Sequence, residues 1–257
     1  MPMSDPVLWH IPISHYSEKV RWALDHKGVP HRRRPVPPPA HMAVAYAITR
    51  GGGYTLPLLQ VDGRALADST EIIAVLEERH PDRPLYPADA EVRSRALELE
   101  DYFDEHVGPA TRLLGFHSMR SDPEAMGQVA AQMLPESARS SRPVTLAAGQ
   151  MGKAFAAVRY GSDSEDAADA AREALIEALN RLEAELDGGD GDYLVGDEFT
   201  VADLTAAALL APAVRPAEGP KLPDPPPAYD RFLAPLRERR AFEWVKEIFS
   251  RHRHPAG

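Results

Sequence analysis

Two serines, Ser14 and Ser17, stand at the spacing of a redox Cys-x-x-Cys pair in a chain of 257 residues that contains no cysteine. A short apolar stretch at residues 7–11 precedes them, and residues 20–27 follow with helical spacing. Because serine is a favoured helix N-cap, either residue could serve only as a cap. In the functional interpretation, a serine hydroxyl and the unpaired N–H groups at the helix start stabilise an anion.

A thiolate is the anion that this strand–turn–helix frame holds in thioredoxin-like sites. Since the chain has no thiol of its own, the sulfur has to arrive on a ligand. A hydrogen bond to a charged group contributes roughly 1.5–3 kcal/mol and a helix terminus ~0.3–1 kcal/mol, which together lower a thiol pKa by about 1.3–3 pH units. An ordinary thiol has a pKa near ~8.5, so the ligand would be largely ionised at neutral pH without a general base.

The second segment that could bind a ligand is YTLPLLQV, residues 54–61, in which Pro57 comes early in a predicted strand. X-Pro bonds are sometimes cis at special turns. A cis Leu56–Pro57 bond would leave the N–H and C=O of Leu56 free to pair with an extended peptide, as in β-augmentation. The alternative is an edge-strand proline that serves no ligand.

The third segment is ADSTEIIAVL, residues 67–76, where Asp68 and Glu71 resemble a capping box and Ser69 begins a helix. A helix N-terminus with a free hydroxyl can bind a carboxylate, and the neighbouring Asp68 could bind an ammonium group. Both functions in one place suit an amino-acid head group. Helix capping alone is the alternative.

These segments belong to two predicted structural units. Residues 1–83 have the order strand, helix, irregular segment with a short helix, hairpin and helix, in which Asp62-Gly63 is the hairpin signal. We therefore expect a small α/β domain there, followed by a proline-punctuated linker at 84–90. Residues 91–257 show helical periodicity and no clear strand, which predicts an all-α domain with loops at 187–191 and 212–227. Its helices are expected over residues 91–107, 167–186, 201–210, 232–251 and parts of 123–157.

The order and spacing of the segments resemble the glutathione S-transferase superfamily over nearly the whole chain. The matching motifs are S-x-x-S-x-K-V-R-W-A-L at 14–24, L-P-L-L at 56–59, D-S-T-E-I-I-x-x-L at 68–76 and G-D-E-F-T-V-A-D-L at 196–204. Thr200 and Asp203 in the last motif fit a structural capping box. The resemblance implies an α/β thioredoxin-like N-terminal domain that binds glutathione, followed by an all-α helical-bundle C-terminal domain that supplies a hydrophobic substrate pocket.

The resemblance also implies roles for individual residues. Ser14 would stabilise the thiolate of glutathione. Four further residues would bind glutathione itself: Leu56, Pro57, Asp68 and Ser69. Among them, Leu56 would pair through its backbone with the cysteinyl unit, whereas Asp68 and Ser69 would bind the γ-glutamyl amine and carboxylate.

Two features depart from the family pattern. His15 and Tyr16 follow Ser14 where the family often has proline or small residues, so Tyr16 or Ser17 could take over the thiol contact. Aspartate at position 68 replaces the commoner glutamate and has a shorter reach. Candidate residues for the substrate pocket are Tyr16, Phe103, Phe116 and His117, although apolar residues at helical spacing are more often core.

The leading functional prediction is a glutathione transferase, in which the thiolate attacks a small hydrophobic electrophile. The alternatives are a glutathione-dependent isomerase or dehalogenase on the same site, and a non-catalytic binding protein of the same fold. A homodimer and a cytoplasmic location are what the resemblance and the composition suggest.

Charge and composition exclude several other classes of protein. The net charge of −10 argues against a broad nucleic-acid surface. The basic runs at 32–34 and 251–254 are expected to be a solvated loop and a loose terminus. No apolar run approaches the ~20 residues of a membrane helix, and the start of the chain does not resemble a signal peptide. The histidines, among them His10, His15 and His26, lack metal-ligand spacing, so no metal is expected.

Overall fold

A mixed four-stranded sheet occupies the N-terminal part of the chain in the computed structural model, which describes residues 5–37, 40–134, 136–189 and 191–254. Its strands are β1 (Val7–His10), β2 (Arg32–Pro35), β3 (Leu58–Val61) and β4 (Arg64–Leu66). The spatial order is β2-β1-β3-β4, in which β1 and β2 are parallel and the other neighbours antiparallel. Asp62 and Gly63 both have positive φ angles, 50° and 74°, as the predicted two-residue hairpin turn requires.

Three helices accompany this sheet: α1 (His15–His26), α2 (Ala40–Thr49) and α3 (Ser69–Arg79). Val20, Trp22 and Leu24 of α1 are fully buried, and Trp22 packs against Phe199 and Phe249 of the helical part. Gly28 follows α1 with a φ of +62°, a conformation that glycine adopts without strain and that ends the helix at the predicted place. The α/β character predicted for this part of the chain is therefore confirmed.

Both expectations for the basic runs are wrong. Residues 32–34 form most of the exposed edge strand β2 rather than a loop, because β1 supplies the hydrogen-bonding partner that local sequence cannot reveal. Charged side chains are typical of an edge strand, since they discourage pairing with other chains. At the other end, Arg253 is only 7% exposed. It forms ion pairs with Glu18 and Asp25 of α1, and these pairs hold the end of the described chain against α1.

The rest of the described chain is helical, as predicted. The helices are α4 (Ala90–Tyr102), α5 (Gly108–Met119), α6 (Pro123–Ala131), α7 (Glu136–Arg139), α8 (Arg142–Tyr160), α9 (Glu165–Gly188), α10 (Val201–Val214), α11 (Pro227–Leu233) and α12 (Arg240–His252), with a 3₁₀ turn at Pro235–Glu238. A π-helical segment, Phe103–Val107, joins α4 to α5. It interrupts the single helix that we expected over residues 91–107. Two predicted loops also begin later than expected, because α9 continues to Gly188 and α10 continues through Pro212.

Helix α10 lies at the centre of the helical part and contacts α1, α4, α5 and α12. Nearly all its residues are buried, as expected for a helix that is apolar on every side. Its N-terminus carries the predicted capping box. Thr200 Oγ1 accepts from the Ala202 N–H at 3.2 Å, and Asp203 Oδ2 accepts from the Thr200 N–H at 2.8 Å. The second oxygen of Asp203 accepts from the Leu194 N–H at 2.8 Å, so this carboxylate also fixes the turn before the helix.

None of the described helices is both long enough and apolar enough to span a bilayer.

Candidate functional site

A cavity of about 680 Å³ lies between the start of α1, the β3 and α3 region, and the helical part of the chain. The five residues that the sequence motifs assign to thiol activation and glutathione binding all line it: Ser14, Leu56, Pro57, Asp68 and Ser69. They come from three separate element boundaries, which the sheet brings side by side. The polar groups of the cavity are therefore concentrated where α1 and α3 begin.

Ser14 is the N-cap of α1, and its Oγ accepts a hydrogen bond from the Ser17 N–H at 3.3 Å. The hydroxyl is thus used as an acceptor, and within the described chain its own proton has no acceptor. The first N–H groups of a helix have no intrahelical partners and carry partial positive charge. A ligand anion at Ser14 would meet a free O–H donor and the positive end of α1 together.

The two other hydroxyls that could contact the thiol, those of Tyr16 and Ser17, form hydrogen bonds with the backbone instead. Tyr16 lines the cavity, but its Oη donates to the backbone carbonyl of Asp104 at 2.7 Å. Burial and the charge of Asp104 raise the pKa of Tyr16, so its phenol stays protonated at neutral pH. Ser17 is fully buried and its Oγ accepts from the Ile11 N–H at 3.2 Å, away from the cavity. Of the three hydroxyls, Ser14 alone both faces the cavity and keeps an unused proton in this structure.

Leu56 and Pro57 form the cavity wall before β3. The bond between them is cis, as the sequence suggested. The Leu56 side chain packs with Val36, Ala45 and Leu58 in a small apolar cluster. In the described chain neither the N–H nor the C=O of Leu56 has a hydrogen-bond partner. These two backbone groups are available to an extended peptide in the cavity.

Asp68 and Ser69 form the opposite edge of the polar region. Asp68 caps α3, with Oδ1 accepting from the N–H groups of Thr70 at 2.9 Å and Glu71 at 3.0 Å. Its other carboxylate oxygen has no protein partner among the described residues. Glu71 makes no return bond to Asp68, so the segment is a simple cap rather than the full capping box that we expected. Ser69 opens the helix and its side chain is buried against the cavity.

The apolar wall of the cavity comes from α5, from α6 and the turn that follows it, and from α8. Its larger side chains are Phe116, Met119, Met126, Val129, Met133, Phe155 and Tyr160. Tyr16 and Phe116 therefore lie where the sequence placed them. Phe103 and His117 do not line the cavity. Phe103 is fully buried in the main core, and His117 is 2% exposed with its Nδ1 at 3.0 Å from the Ser162 carbonyl.

A buried charge cluster that the sequence motifs did not reveal lies behind the cavity wall, to which it contributes Thr70 and Asp104. Lys19 is fully buried, and its Nζ lies 2.9 Å from Glu100 Oε1, 2.8 Å from Asp104 Oδ2 and 3.1 Å from Thr70 Oγ1. Burial raises the pKa of Glu100, against the opposing charge of Lys19. The four residues join α1, α3, α4 and the π-helical segment. They hold the polar and apolar halves of the cavity together.

His15, next to Ser14, is not a charged partner for a ligand anion. It is 5% exposed, and its Nε2 lies 2.9 Å from the Gly108 carbonyl. Burial, followed by the charge of Arg112, lowers the pKa of His15 to about 3. The ring is therefore neutral at physiological pH and donates its Nε2 proton to Gly108. Anion stabilisation at this end of the cavity has to come from Ser14 and the helix.

Two family models match the chain. One is described as the glutathione S-transferase N-terminal domain and matches residues 8–84, and the other as the glutathione S-transferase C-terminal domain and matches residues 146–239. Together they cover more than half of the chain.

Two distant relatives match most of the length of the chain. A Caenorhabditis elegans protein named "Probable maleylacetoacetate isomerase" is 26% identical over 215 residues, 84% of this chain and 82% of the relative. A Triticum aestivum protein named "Glutathione S-transferase" is 25% identical over 217 residues, 83% of this chain and 81% of the relative. Among solved structures, a glutathione S-transferase of Ceriporiopsis subvermispora in complex with glutathione gives a TM-score of 0.61 at 19% identity, covering 97% of this chain and 96% of the other. This last likeness concerns the fold.

Proposed function

The chain belongs to the glutathione S-transferase superfamily, and on that premise we propose that it binds glutathione, ionises its thiol at Ser14 and transfers it to a small hydrophobic electrophile. The observation that carries this proposal is the meeting of Ser14, Leu56, Asp68 and Ser69 on one cavity wall, opposite an apolar wall from the helical part. Each residue offers the group that its proposed partner on glutathione needs.

Glutathione would lie in an extended form along this wall. The free N–H and C=O of Leu56 would pair with the cysteinyl unit, as an added strand pairs with a sheet edge. The unpartnered oxygen of Asp68 would accept from the γ-glutamyl ammonium, and the Ser69 hydroxyl and the start of α3 would bind the carboxylate. This placement would bring the cysteinyl sulfur toward Ser14.

Thiol activation would follow from preformed donors rather than from a base. The Ser14 proton is unused and the α1 N-terminus is positive, so both favour the thiolate over the thiol. The bound thiol loses its proton to solvent, and the sulfur attacks an electrophilic carbon held against the apolar wall. For an aryl halide, a C–S bond forms and the halide leaves with the electron pair of its bond to carbon. Proximity and the fixed donors supply the rate enhancement.

The first experiment is calorimetry of glutathione binding, followed by conjugation of a generic aryl halide by the wild type and Ser14→Ala. We expect binding by both proteins and a loss of ~10²-fold or more in turnover for the variant, the size found when one preformed donor to a developing anion is removed. Ser118→Ala is the matched control, because Ser118 also lines the cavity but its hydroxyl donates to the Gly115 carbonyl. No glutathione binding by the wild type would refute the proposal. Full activity of Ser14→Ala would refute the role of Ser14.

A glutathione-dependent isomerase is the second candidate, and the name of the Caenorhabditis elegans relative favours it. The same thiolate would add to one carbon of a conjugated cis double bond. Rotation about the resulting single bond and loss of the sulfur would release the trans isomer and return the glutathione. Stoichiometry separates the candidates, because a transferase consumes one glutathione per turnover and an isomerase consumes none.

A further inference from the structure

Arg112 is the feature of the cavity wall that thiol activation leaves unexplained. It lies on α5, one helical turn after Gly108, and its side chain lines the cavity. Within the described chain its guanidinium forms no hydrogen bond and no ion pair, and its Nε is buried without a partner. The wall's other arginine, Arg215, differs because it donates to the backbone carbonyls of Leu222 and Pro223.

Aromatic rings hold Arg112 in place without using its N–H donors. The guanidinium carbon lies 4.4 Å from the ring centre of Tyr160 and 5.8 Å from that of Tyr16. Tyr160 in turn stacks on Phe116 at 5.8 Å between ring centres and meets Phe155 edge to face. Stacking of this kind orients a guanidinium while its fork of donors stays open. None of the acidic residues in the described cavity wall pairs with it.

The two Nη groups of Arg112 form no hydrogen bond within the described chain, so a ligand in the cavity can supply their acceptors. The planar fork of arginine matches the two oxygens of a carboxylate, and the neighbouring rings match a flat unsaturated body. We propose that Arg112 binds a carboxylate of the electrophilic substrate, so that the acceptor is a planar unsaturated or aromatic acid. This inference rests on the proposed function, since it names the substrate class of the same site.

A pair of aryl halides that differ in one charge tests the proposal. The probes are 4-chloro-3-nitrobenzoate and its methyl ester. In both, the glutathione sulfur forms a bond to the ring carbon that carries chlorine, and chloride leaves with the electron pair of the C–Cl bond. The carboxyl group forms no bond in the reaction, but it lies para to the reacting carbon and its charge alters the intrinsic rate. Each probe is therefore compared with itself across the protein variants, so that this intrinsic difference cancels.

The measurements are kcat/KM for both probes and calorimetric binding of the benzoate, each with the wild type, Arg112→Gln and Arg112→Lys. We expect Arg112→Gln to lower kcat/KM for the benzoate by ~10- to 100-fold, the size expected for a hydrogen bond to a charged group, mainly through KM. The ester should change less than about threefold, which also shows that the variant is folded. Arg112→Lys should fall between, because a point charge replaces the fork.

Arg159→Gln is the matched control. Arg159 also lies over Tyr160, at 5.6 Å from the ring centre, but it is exposed and outside the cavity wall. It should leave the ratio of the two probes unchanged. Equal losses for benzoate and ester in Arg112→Gln, or no loss for either, would overturn the inference while leaving the proposed transfer intact. Arg112-dependent binding of the benzoate with no turnover by the wild type would instead support the inference and overturn the transfer.

Discussion

At the scale of single residues, three hydroxyl groups near the start of α1 differ in where their protons go. Tyr16 Oη donates to the Asp104 carbonyl, and the Ser17 hydroxyl is buried away from the cavity, where it accepts from Ile11. Ser14 Oγ accepts from the Ser17 N–H, and its own proton has no acceptor in the described chain and is available to a ligand. A thiolate needs a donor, so the direction of these hydrogen bonds matters more than the mere nearness of an oxygen.

Tyr16→Phe separates the two cavity-facing hydroxyls. The change removes the donor to the Asp104 carbonyl and leaves Ser14 untouched, so we expect a loss of about 1 kcal/mol in the free energy of unfolding. Turnover of the generic aryl halide should stay within about threefold of the wild type, in contrast to the ~10²-fold loss for Ser14→Ala. Urea unfolding and steady-state kinetics check the two parts. A loss of turnover as large as that of Ser14→Ala would assign the thiol contact to Tyr16.

The five residues assigned to thiol activation and glutathione binding could be placed from the sequence because each lies at an element boundary that local sequence marks. A serine before a helix, a proline before a strand and an aspartate cap are short-range signals. Lys19 and Arg112 were missed because their surroundings are set by residues far away in the chain, such as Glu100 and Tyr160. One signal was present for Arg112, since it follows Gly108 and precedes Phe116 at four-residue spacing on one helix face.

At the scale of elements, the π-helical segment decides how α5 meets α1. Gly108, the first residue of α5, approaches Tyr16 so closely that a β-carbon there would overlap Oη and lie 2.5 Å from Cζ. A π turn holds an extra residue relative to an α turn, so it changes the face that later side chains present. Phe103, at the start of the π turn, lies in the core, and Phe116, after it, lines the cavity.

Gly108→Ala tests the close contact between α5 and Tyr16. We expect a loss of about 1–3 kcal/mol in the free energy of unfolding, because the new methyl group forces Tyr16 from its hydrogen bond. In the Tyr16→Ala background the same change should cost much less, since the space is then empty. Gly115→Ala, on the same helix with nothing within 4 Å of its β-carbon, should instead stabilise by roughly 0.5–1 kcal/mol. Equal effects of the two alanines would contradict the contact.

At the scale of the whole molecule, buried ionic and imidazole groups join the two parts of the chain. Lys19 links α1 to Glu100 and Asp104, and Arg253 links the last helix to Glu18 and Asp25 of α1. Breaking one partner of such a buried pair typically costs ~3–5 kcal/mol. The α/β and all-α parts could be predicted from hydrophobic periodicity. Their joining could not, because it depends on pairs of residues that lie far apart in the sequence.

Buried histidines make the stability of the whole molecule depend on pH. Burial lowers the pKa of His10 and His15 to about 3 and that of His26 to about 4, each from 6.5. The unfolded chain therefore binds more protons than the folded one as the pH falls below about 6.5. Stability from these groups is full above that pH and is lost progressively toward pH 3–4.

His15→Gln isolates one of these groups, because glutamine can still donate to the Gly108 carbonyl without titrating. We expect the free energy of unfolding of the wild type to fall with acidification below pH 6.5, and the slope in His15→Gln to be smaller by about 1.36 kcal/mol per pH unit, the value for one proton. Urea unfolding at several pH values measures both slopes. Identical slopes would mean that His15 titrates alike in the folded and unfolded states.

The most direct test of thiol activation is a pH titration of glutathione bound to the protein, followed by the ultraviolet absorbance of the thiolate. With the wild type, we expect a titration midpoint about 1.3–3 pH units below the ordinary thiol pKa of ~8.5, because Ser14 and the α1 N-terminus favour the anion. With Ser14→Ala, the midpoint should move back toward that of the free thiol. A wild-type midpoint equal to that of free glutathione, or the same midpoint in both proteins, would contradict the assignment of Ser14.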